Sequence, residues 1–336
     1  MAIYIGKRLA LLLAMLFGLL LITFSISHVA PGDPASLAAG PDATLQMVEQ
    51  IRQEYGLDQP LPIQLGRYLM GVVRGDFGRS VRTNHDVLDD LVTYFPATFE
   101  LVVFSILIAI VLGIPLGILS ALGQNRWFDH LARVVSVSGV AIPMFWLGLM
   151  LQLLIALDLG LLPLGGRLGL MSTPPQPITH LYLVDSLLQG QWRVFSDAAA
   201  HLVLPAVALC FPALASIIRV NRAEMIEALA QDYIVTARAH SISRLRTVCV
   251  YALKNAILPT LAMIGLRFGW MLGGTVLVES VFDWPGVGLY ATQSAISQDF
   301  QPIMGVTLLI GTCFMLSNLL IDLTYAWIDP RTREAG

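Results

Sequence analysis

The stretch EMIEALAQDYIVTARAHSISRLRTVCVYALKNAILP, residues Glu224–Pro259, is charged and lies between two apolar segments. Its middle part DYIVTARAH has helical spacing, Ser241-Ile-Ser243 predicts a turn and a second N-cap, and RLRTVCVYALKN resumes a helix. A hydrophobic chain places polar residues where it meets something other than lipid. The stretch therefore predicts two short surface helices with Tyr233, Ile234 and Ala237 on one side, suited to a protein partner. An ordinary charged loop between spans is the alternative.

Composition places the chain among integral membrane proteins. Of its 336 residues, 56% are hydrophobic and only 13% are charged, whereas soluble domains carry about 25% charged residues. Several apolar stretches are long enough to cross the roughly 30 Å hydrocarbon layer. They lie at residues 9–29, 97–122, 131–157, 202–218, 256–278 and 303–327. The sequence therefore predicts an all-α integral membrane protein with six transmembrane helices.

The flanks of these stretches predict the orientation. Lys7 and Arg8 precede the first stretch, as in a signal peptide, but its length and the lack of an A-x-A-like cleavage site favour a retained helix. Lysine and arginine in short loops stay on the cytoplasmic side, and the loop at 280–302 contains neither. Both termini are therefore expected in the cytoplasm.

Three parts of the chain are expected. Residues 1–95 hold the first span and an extracytoplasmic loop, residues 96–328 form the transmembrane core, which includes the charged stretch at about 224–254, and residues 329–336 form a cytoplasmic tail. In the loop, residues 45–55 predict a short amphipathic helix. Glycine and proline at Gly113-Ile-Pro115-Leu-Gly117 and at Ser138–Pro143 are expected to break the second and third spans.

The sequence does not support chemistry on this chain. Its only lysines, Lys7 and Lys254, are not followed by Ser or Thr, so no phosphate-binding loop is present and any ATPase must be a separate chain. The six histidines are dispersed and lack metal-ligand spacing. A serine hydrolase would need Ser105 or Ser317 beside His201, which only an assumed packing provides. No catalytic residue, metal site or resident cofactor is therefore predicted.

Four residues are candidates for a translocation path. Arg267 lies near the middle of the fifth span, where a charge costs about 2.5–3.5 kcal/mol on insertion scales, so it should face a partner or a watery cavity. Glu279 ends the same span, and Pro143 and Gly273 lie where helices bend or thin. The alternatives are one structural pair for Arg267, an interfacial position for Glu279 and plain helix packing for the other two.

A set of short motifs in a fixed order covers nearly the whole chain. In the charged stretch they are Asp232-Tyr233, Thr236-Ala237-Arg238-Ala239, Ala252-Leu253-Lys254-Asn255-Ala256 and Leu258-Pro259. Elsewhere they are APGDP at Ala30–Pro34, YGLDQPL at Tyr55–Leu61, GDFGRS at Gly75–Ser80, GIPLGILSA at Gly113–Ala121, ESVFDWPGVG at Glu279–Gly288 and NLLIDLTYAWIDPR at Asn318–Arg331. This set resembles the permeases of ABC importers, and in detail the B-type subunit of the dipeptide and oligopeptide (Dpp/Opp-type) family.

The resemblance implies a fold, a location and partners. The expected protein is a type I importer permease in the bacterial inner membrane, surrounded by lipid and working by alternating access. Its expected partners are a second homologous permease, two ATPase subunits that bind ATP and Mg²⁺, an extracytoplasmic binding protein and a peptide substrate, with no nucleic acid. Relatives carry dipeptides, oligopeptides, glutathione, nickel complexes or haem, so the exact substrate stays open. The residues expected to couple to the ATPases are Asp232, Tyr233, Thr236, Ala237, Arg238, Ala239, His240 and Ser241.

This chain departs from the family pattern at two positions. Ser241 stands where the family usually has glycine, and serine enters positive φ less easily, so the geometry of the turn is open. Arg267 stands where an uncharged polar residue is usual; it can attract a substrate carboxylate or pair with an acid of the second permease. The rival hypothesis is a self-sufficient secondary transporter or channel. An inverted repeat with paired broken helices would favour that rival, and the sequence has no convincing one.

Overall fold

The computed structural model describes residues 2–29, 35–36, 43–54, 56 and 58–328, and most of them are helical. The helices are α1 (Ala2–Val29), α2 (Leu45–Glu54), α3 (Leu61–Arg74), α4 (Val87–Leu122), α5 (Trp127–Ala141), α6 (Met144–Leu151), α7 (Tyr182–Leu188), α8 (Trp192–Leu229), α9 (Asp232–Ala239), α10 (Leu253–Phe282), α11 (Val287–Ile296) and α12 (Phe300–Ile328). A π-helical turn, Gln152–Asp158, extends α6. A second one, Thr247–Ala252, leads from Arg244–Arg246 into α10.

Several helices have the length and composition of membrane spans. Within the described residues four qualify singly: Val87–Leu122, Trp192–Leu229, Arg244–Phe282 and Phe300–Ile321. The pair α5 and α6 makes a fifth if it is taken as one span. Among the side chains that the structure describes, α1 contributes a further apolar segment, Ala10–Ser25. The prediction of an all-helical protein is confirmed for the described part of the chain, with four or five spans where the sequence predicted six.

The predicted break in the second span is wrong. Helix α4 runs without interruption from Val87 to Leu122, with Pro115 inside it. The neighbouring glycines serve close helix packing instead, because a Cβ atom on Gly113 would lie 2.8 Å from Cγ2 of Ile217, and one on Gly117 would lie 2.8 Å from Oδ1 of Asn221. Small residues of this kind let two helices approach closely, and here they let α4 pack against α8.

The third predicted span is broken at Pro143, as expected, but more sharply than a kink. Helix α5 ends at Ala141 and α6 begins at Met144, with Pro143 extended at φ −62° and ψ 133°. Proline has no amide hydrogen to continue the helical ladder, and the two helices are bent by 107°. Residues 131–157 therefore do not form one straight span.

Helix α8 lies at the centre of the structure. Of its most apolar 18-residue window, 78% is buried, the largest share among the four single spans. It packs against α4, α5 and α10 through the main core, whose largest fully buried aliphatic members include Leu101, Leu202, Leu209, Ile217 and Ile218. The same helix contributes Met225 to the apolar cluster beneath α9 and Leu209 to the cavity beside α10.

A buried ion pair fixes α5 against α8 near the ends of α4 and α8. The carboxylate of Asp129 is fully buried and accepts hydrogen bonds from Nε and Nη2 of Arg222 at 2.6 and 2.9 Å. It also accepts from Oγ of Ser120 at 2.6 Å and from the amide of Asn125 at 2.9 Å. A buried carboxylate is tolerated only when it is paired and fully hydrogen-bonded. These four donors meet that condition and join three helices.

Two further buried carboxylates, Glu100 in the first half of α4 and Asp299 before α12, hold two loops. Glu100 accepts from Nη2 of Arg167 at 2.6 Å and from the amide of Leu183 at 2.8 Å, which ties residues 159–191 to α4. Asp299 accepts from Oγ of Ser80 at 2.7 Å, which ties the GDFGRS turn to the segment before α12. Hydrogen bonds to charged groups are about twice as strong as neutral ones. Both loops are therefore folded parts of the molecule.

Candidate functional site

Helix α9 rests on a small apolar cluster at one end of the molecule. Its Ile234 is fully buried in a cluster that includes Met225 of α8 and Val248 and Ala252 before α10. Ala237, one turn later on the same face, is only 4% exposed. Burial of these apolar side chains drives the contact. The inward face of α9 is thus attached to the ends of the long helices.

The exposed residues of α9 and of the turn after it include apolar and basic side chains, together with Asp232 and Thr236. Val235 is 61% exposed, and Tyr233 and Leu245 are exposed as well. The exposed arginines are Arg238, Arg244 and Arg246. We call the three apolar residues and the three arginines the docking face. Exposed apolar side chains with charged residues beside them are typical of helix-mediated protein recognition.

The predicted coupling residues divide between the two faces. Seven are exposed, namely Asp232, Tyr233, Thr236, Arg238, Ala239, His240 and Ser241. Ala237 is the exception, because its side chain packs inside the chain's own cluster. Tyr233, Ile234 and Ala237 were predicted on one side of the helix. Ile234 and Ala237 do share a face, but that face packs inward, and Tyr233 is exposed. The sequence analysis missed Val235 and Leu245. The helical pattern could have identified them, because they are apolar residues that remain exposed when Ile234 points inward.

The turn after α9 forms with serine in the position that favours glycine. Ser241 has a φ of +57°. Its amide donates to the carbonyl of Arg238 at 2.9 Å, and the amide of Ile242 donates to the carbonyl of Ala237 at 3.1 Å. This pair of bonds is a Schellman motif, which closes many helix C-termini. The turn that the sequence left open is thus the ordinary one.

Changing Ser241 to glycine is expected to stabilise this turn by about 1 kcal/mol, because a residue with a Cβ atom is strained at positive φ and glycine is not. Hydrogen exchange of the Ile242 amide should slow about fivefold if local opening of the turn limits it. Ser243→Gly is the matched control, since Ser243 has a φ of −56°; it should give no slowing. Faster exchange in Ser241→Gly would contradict the expectation.

A cavity of about 430 Å³ lies beside the middle of α10. Helices α6, α8 and α10 contribute its walls, which consist of Met144, Leu209, Pro212, Ala213, Arg267, Trp270, Met271, Gly273 and Gly274. Arg267 is the one charged residue among them. The structure thus brings Arg267 and Gly273 together in one wall, and Pro143 directly precedes the Met144 that forms part of another.

Arg267 has unused hydrogen-bonding capacity in this cavity. Its Nε is buried without a hydrogen-bond partner. Within the described residues its guanidinium forms no ion pair and no hydrogen bond. A buried donor that lacks a partner is costly, so it usually marks a ligand, a water or a partner chain. The structural pair considered for Arg267 is not made inside the described part of the chain.

Glu279 lies away from the cavity, at the junction of α4, α10 and α11. Its fully buried carboxylate accepts from Oγ1 of Thr98 at 2.6 Å and from the amides of Gly288 and Leu289 at 2.7 and 3.0 Å. The first amides of a helix lack partners within the helix and favour an anion, and here they belong to α11. The structure does not bring Glu279 to the cavity, because protein donors surround it.

The ESVFDWPGVG motif builds this junction. The amide of Val287 donates to Oγ1 of Thr98 at 2.9 Å, and the indole of Trp284 donates to the carbonyl of Ala97 at 2.9 Å. A Cβ atom on Gly286 would collide with Thr98, and one on Gly288 would lie 2.6 Å from Cα of Val276. The glycines are required because the backbone passes so close to its neighbours.

Two family models together match most of the chain. Residues 113–334 match the family described as binding-protein-dependent transport system inner membrane component. Residues 1–102 match the N-terminal region described for the same kind of membrane component. The matched residues include α9, the docking face, the cavity and the Glu279 junction.

Curated proteins of this kind are similar over nearly the full length. The probable D,D-dipeptide transport system permease protein DdpB of Escherichia coli is 46% identical over 95% of this chain and 94% of that protein. The dipeptide transport system permease protein DppB of Alkalihalophilus pseudofirmus is 39% identical over 99% and 100%. The glutathione transport system permease protein GsiC of Escherichia coli is 36% identical over 98% of both. The chain therefore belongs to the family of binding-protein-dependent transport system inner membrane components and is a multi-pass protein of the inner membrane.

Proposed function

We propose that this chain is the permease subunit of an ATP-driven importer that takes up dipeptides or short peptides delivered by an extracytoplasmic binding protein. The observation that carries the proposal is the similarity, along nearly the whole chain, to permeases named for dipeptides and glutathione. The chain forms half of the translocation pathway, and a second homologous permease forms the other half. It is a transport component, and hydrolysis of ATP takes place on other subunits, which bind ATP and Mg²⁺.

The proposed topology has six spans and both termini in the cytoplasm. The spans are α1, α4, the bent pair α5 and α6, α8, α10 and α12. This arrangement puts residues 1–95 in a first unit with an extracytoplasmic loop and residues 96–328 in the core. The cytoplasmic tail proposed for residues 329–336 lies outside the described residues. The arrangement also puts the docking face on the same side as Arg126 and Arg133, in agreement with the distribution of positive charge.

Cys249 provides a native test of this topology. It is exposed before α10, whereas Cys210 is buried in α8. When the chain is expressed without ATPase subunits, a membrane-impermeant maleimide should label it in inside-out vesicles and leave it unlabelled in intact spheroplasts. Cys249→Ser is the control and should remove the label. Labelling of Cys249 from outside the cell would contradict a cytoplasmic docking face.

We propose that two ATPase subunits drive the transporter, one of them bound to the docking face of this chain. The inward face of α9 is attached through Ile234 and Met225 to α8 and through Ala252 to α10. Displacement of α9 by the ATPase is therefore transmitted to the helices that line the cavity. The extended Pro143 between α5 and α6 is the position at which the cavity wall can move without unwinding a helix. These two features support the proposal of alternating access.

Uptake by cells tests the proposed substrate class. In a strain that has this importer as its single route for peptide entry, a radiolabelled dipeptide should accumulate, and unlabelled dipeptides should compete while free amino acids should not. The same strain without this chain is the control. Accumulation of a different class of solute, with no uptake of any dipeptide or tripeptide, would overturn the proposal.

A further inference from the structure

The cavity beside α10 contains positive charge that the described chain does not neutralise. Arg267 forms no ion pair there within the described residues, and its Nε has no partner. The other wall residues are uncharged. In an environment of low dielectric constant such a site attracts an anion strongly.

The size and walls of the cavity fit a small amphiphilic molecule. Its volume of about 430 Å³ lies within the usual range of small-molecule sites, about 300–1,000 Å³. Met144, Leu209 and Met271 provide apolar surface, and Trp270 adds an exposed aromatic ring. These surfaces accept the side chains of a short peptide.

The guanidinium selects one end of such a peptide. Its planar fork binds a carboxylate through two parallel hydrogen bonds, and it repels an ammonium group. The cavity therefore distinguishes the two termini of a zwitterionic dipeptide. It favours the carboxyl terminus beside Arg267 and leaves the amino terminus away from it.

We propose that Arg267 binds the free C-terminal carboxylate of the peptide within the membrane and makes the permease itself selective for peptides with an unmodified C terminus. This inference rests on the proposed import of short peptides. It adds a selective step inside the membrane to any selection by the binding protein. Arg267 is a binding residue in this proposal, because it touches the substrate.

The test compares uptake of a dipeptide with uptake of the same dipeptide amidated at its C terminus. The complete transporter, with its binding protein and ATPase subunits, is reconstituted in proteoliposomes with the wild-type chain or a variant. The binding protein is identical in every sample, so its own preference cancels when the ratio of the two uptake rates is compared. Arg267→Gln should lower the acid-to-amide ratio about tenfold or more, since a hydrogen-bonded ion pair is lost.

Two further variants define the effect. Arg267→Lys keeps the charge without the fork and should lower the ratio less than Arg267→Gln. Arg193→Gln is the matched control, because Arg193 is exposed on α8 and lies about 24 Å along the helix from the cavity; it should leave the ratio unchanged. If Arg267→Gln lowers uptake of both peptides equally and leaves the ratio intact, the proposal is overturned.

Pairing of Arg267 with an acid of the second permease is the competing outcome. In that case Arg267→Gln would weaken co-purification of the two permeases, Arg267→Lys would restore it, and the ratio would not change; this result also overturns the proposal.

If the wild-type transporter moves neither peptide, the proposed function fails independently. In that case, phenylglyoxal modification of Arg267 in the purified complex is measured by mass spectrometry. It tests whether the carboxylate of the dipeptide binds at Arg267. Protection by the dipeptide but not by its amide supports carboxylate binding, and equal labelling overturns it.

Discussion

Val235→Glu is expected to abolish binding of the ATPase subunits while the chain still folds and inserts. Val235 is 61% exposed within the docking face and contributes little to the chain's own core. A carboxylate placed there would have to lose its water when the ATPase binds, and a charge buried in place of an apolar contact weakens an interface by about a hundredfold or more. The measurement is co-purification of the ATPase subunits with the tagged permease from detergent.

Val73→Glu is the matched control for this experiment. It is the same substitution at a valine that is 83% exposed on α3, away from the docking face, and it should leave ATPase binding intact. Ala237→Glu is a different experiment, because Ala237 is buried under α9 and the charge would disrupt folding. Retention of the ATPase by Val235→Glu, at the level of Val73→Glu, would show that α9 does not dock these subunits.

Glu279→Ala is expected to destabilise the chain by about 3 kcal/mol or more. The substitution leaves the hydroxyl of Thr98 and the amides of Gly288 and Leu289 without their buried acceptor. Each unsatisfied buried group costs about 1–3 kcal/mol. Thermal unfolding of the purified chain in detergent, together with its level in the membrane, measures the loss. Glu279→Gln keeps one acceptor and should be affected less.

Glu49→Ala controls for removal of an acidic side chain. Glu49 is exposed on α2, where it pairs with Arg52, and surface substitutions of this kind change stability by less than about 0.5 kcal/mol. A stable Glu279→Ala protein with normal assembly and impaired transport would contradict the structural role. That result would instead support the role of Glu279 in the translocation path that the sequence suggested.

Features determined by neighbouring residues were predictable from the sequence. The helix at 45–55 and the break at Pro143 follow from local spacing and from the missing amide of proline. The structure confirms the helix for Leu45–Glu54, with Tyr55 outside the described residues, and it confirms the break at the junction of α5 with α6. The position of α9 also follows from local pattern, because apolar residues at helical spacing and the Ser241 turn bound it. Local chemistry is sufficient where the chain interacts with itself over a few residues.

Features determined by distant contacts were not predictable. Helical spacing identified an apolar face of α9, but its direction depends on a cluster to which Ala121 and Met225 contribute from α4 and α8. Glu279 looked like an interfacial acid, yet one of its hydrogen-bond donors is Thr98, 181 residues earlier in the chain. Helix α4 likewise continues through Pro115 where it packs against α8, a contact between distant parts of the chain. Such residues are identified only when the partner helix is known.

Reconstituted transport tests the energy source most directly. The two permeases are placed in proteoliposomes with the binding protein and labelled dipeptide, with or without the ATPase subunits and ATP. Uptake should require both the ATPase subunits and hydrolysable ATP, and it should stop when Val235→Glu replaces the wild-type chain. Uptake by the permeases alone, driven by an ion gradient with no ATPase present, would contradict coupling through α9 and identify a self-sufficient transporter.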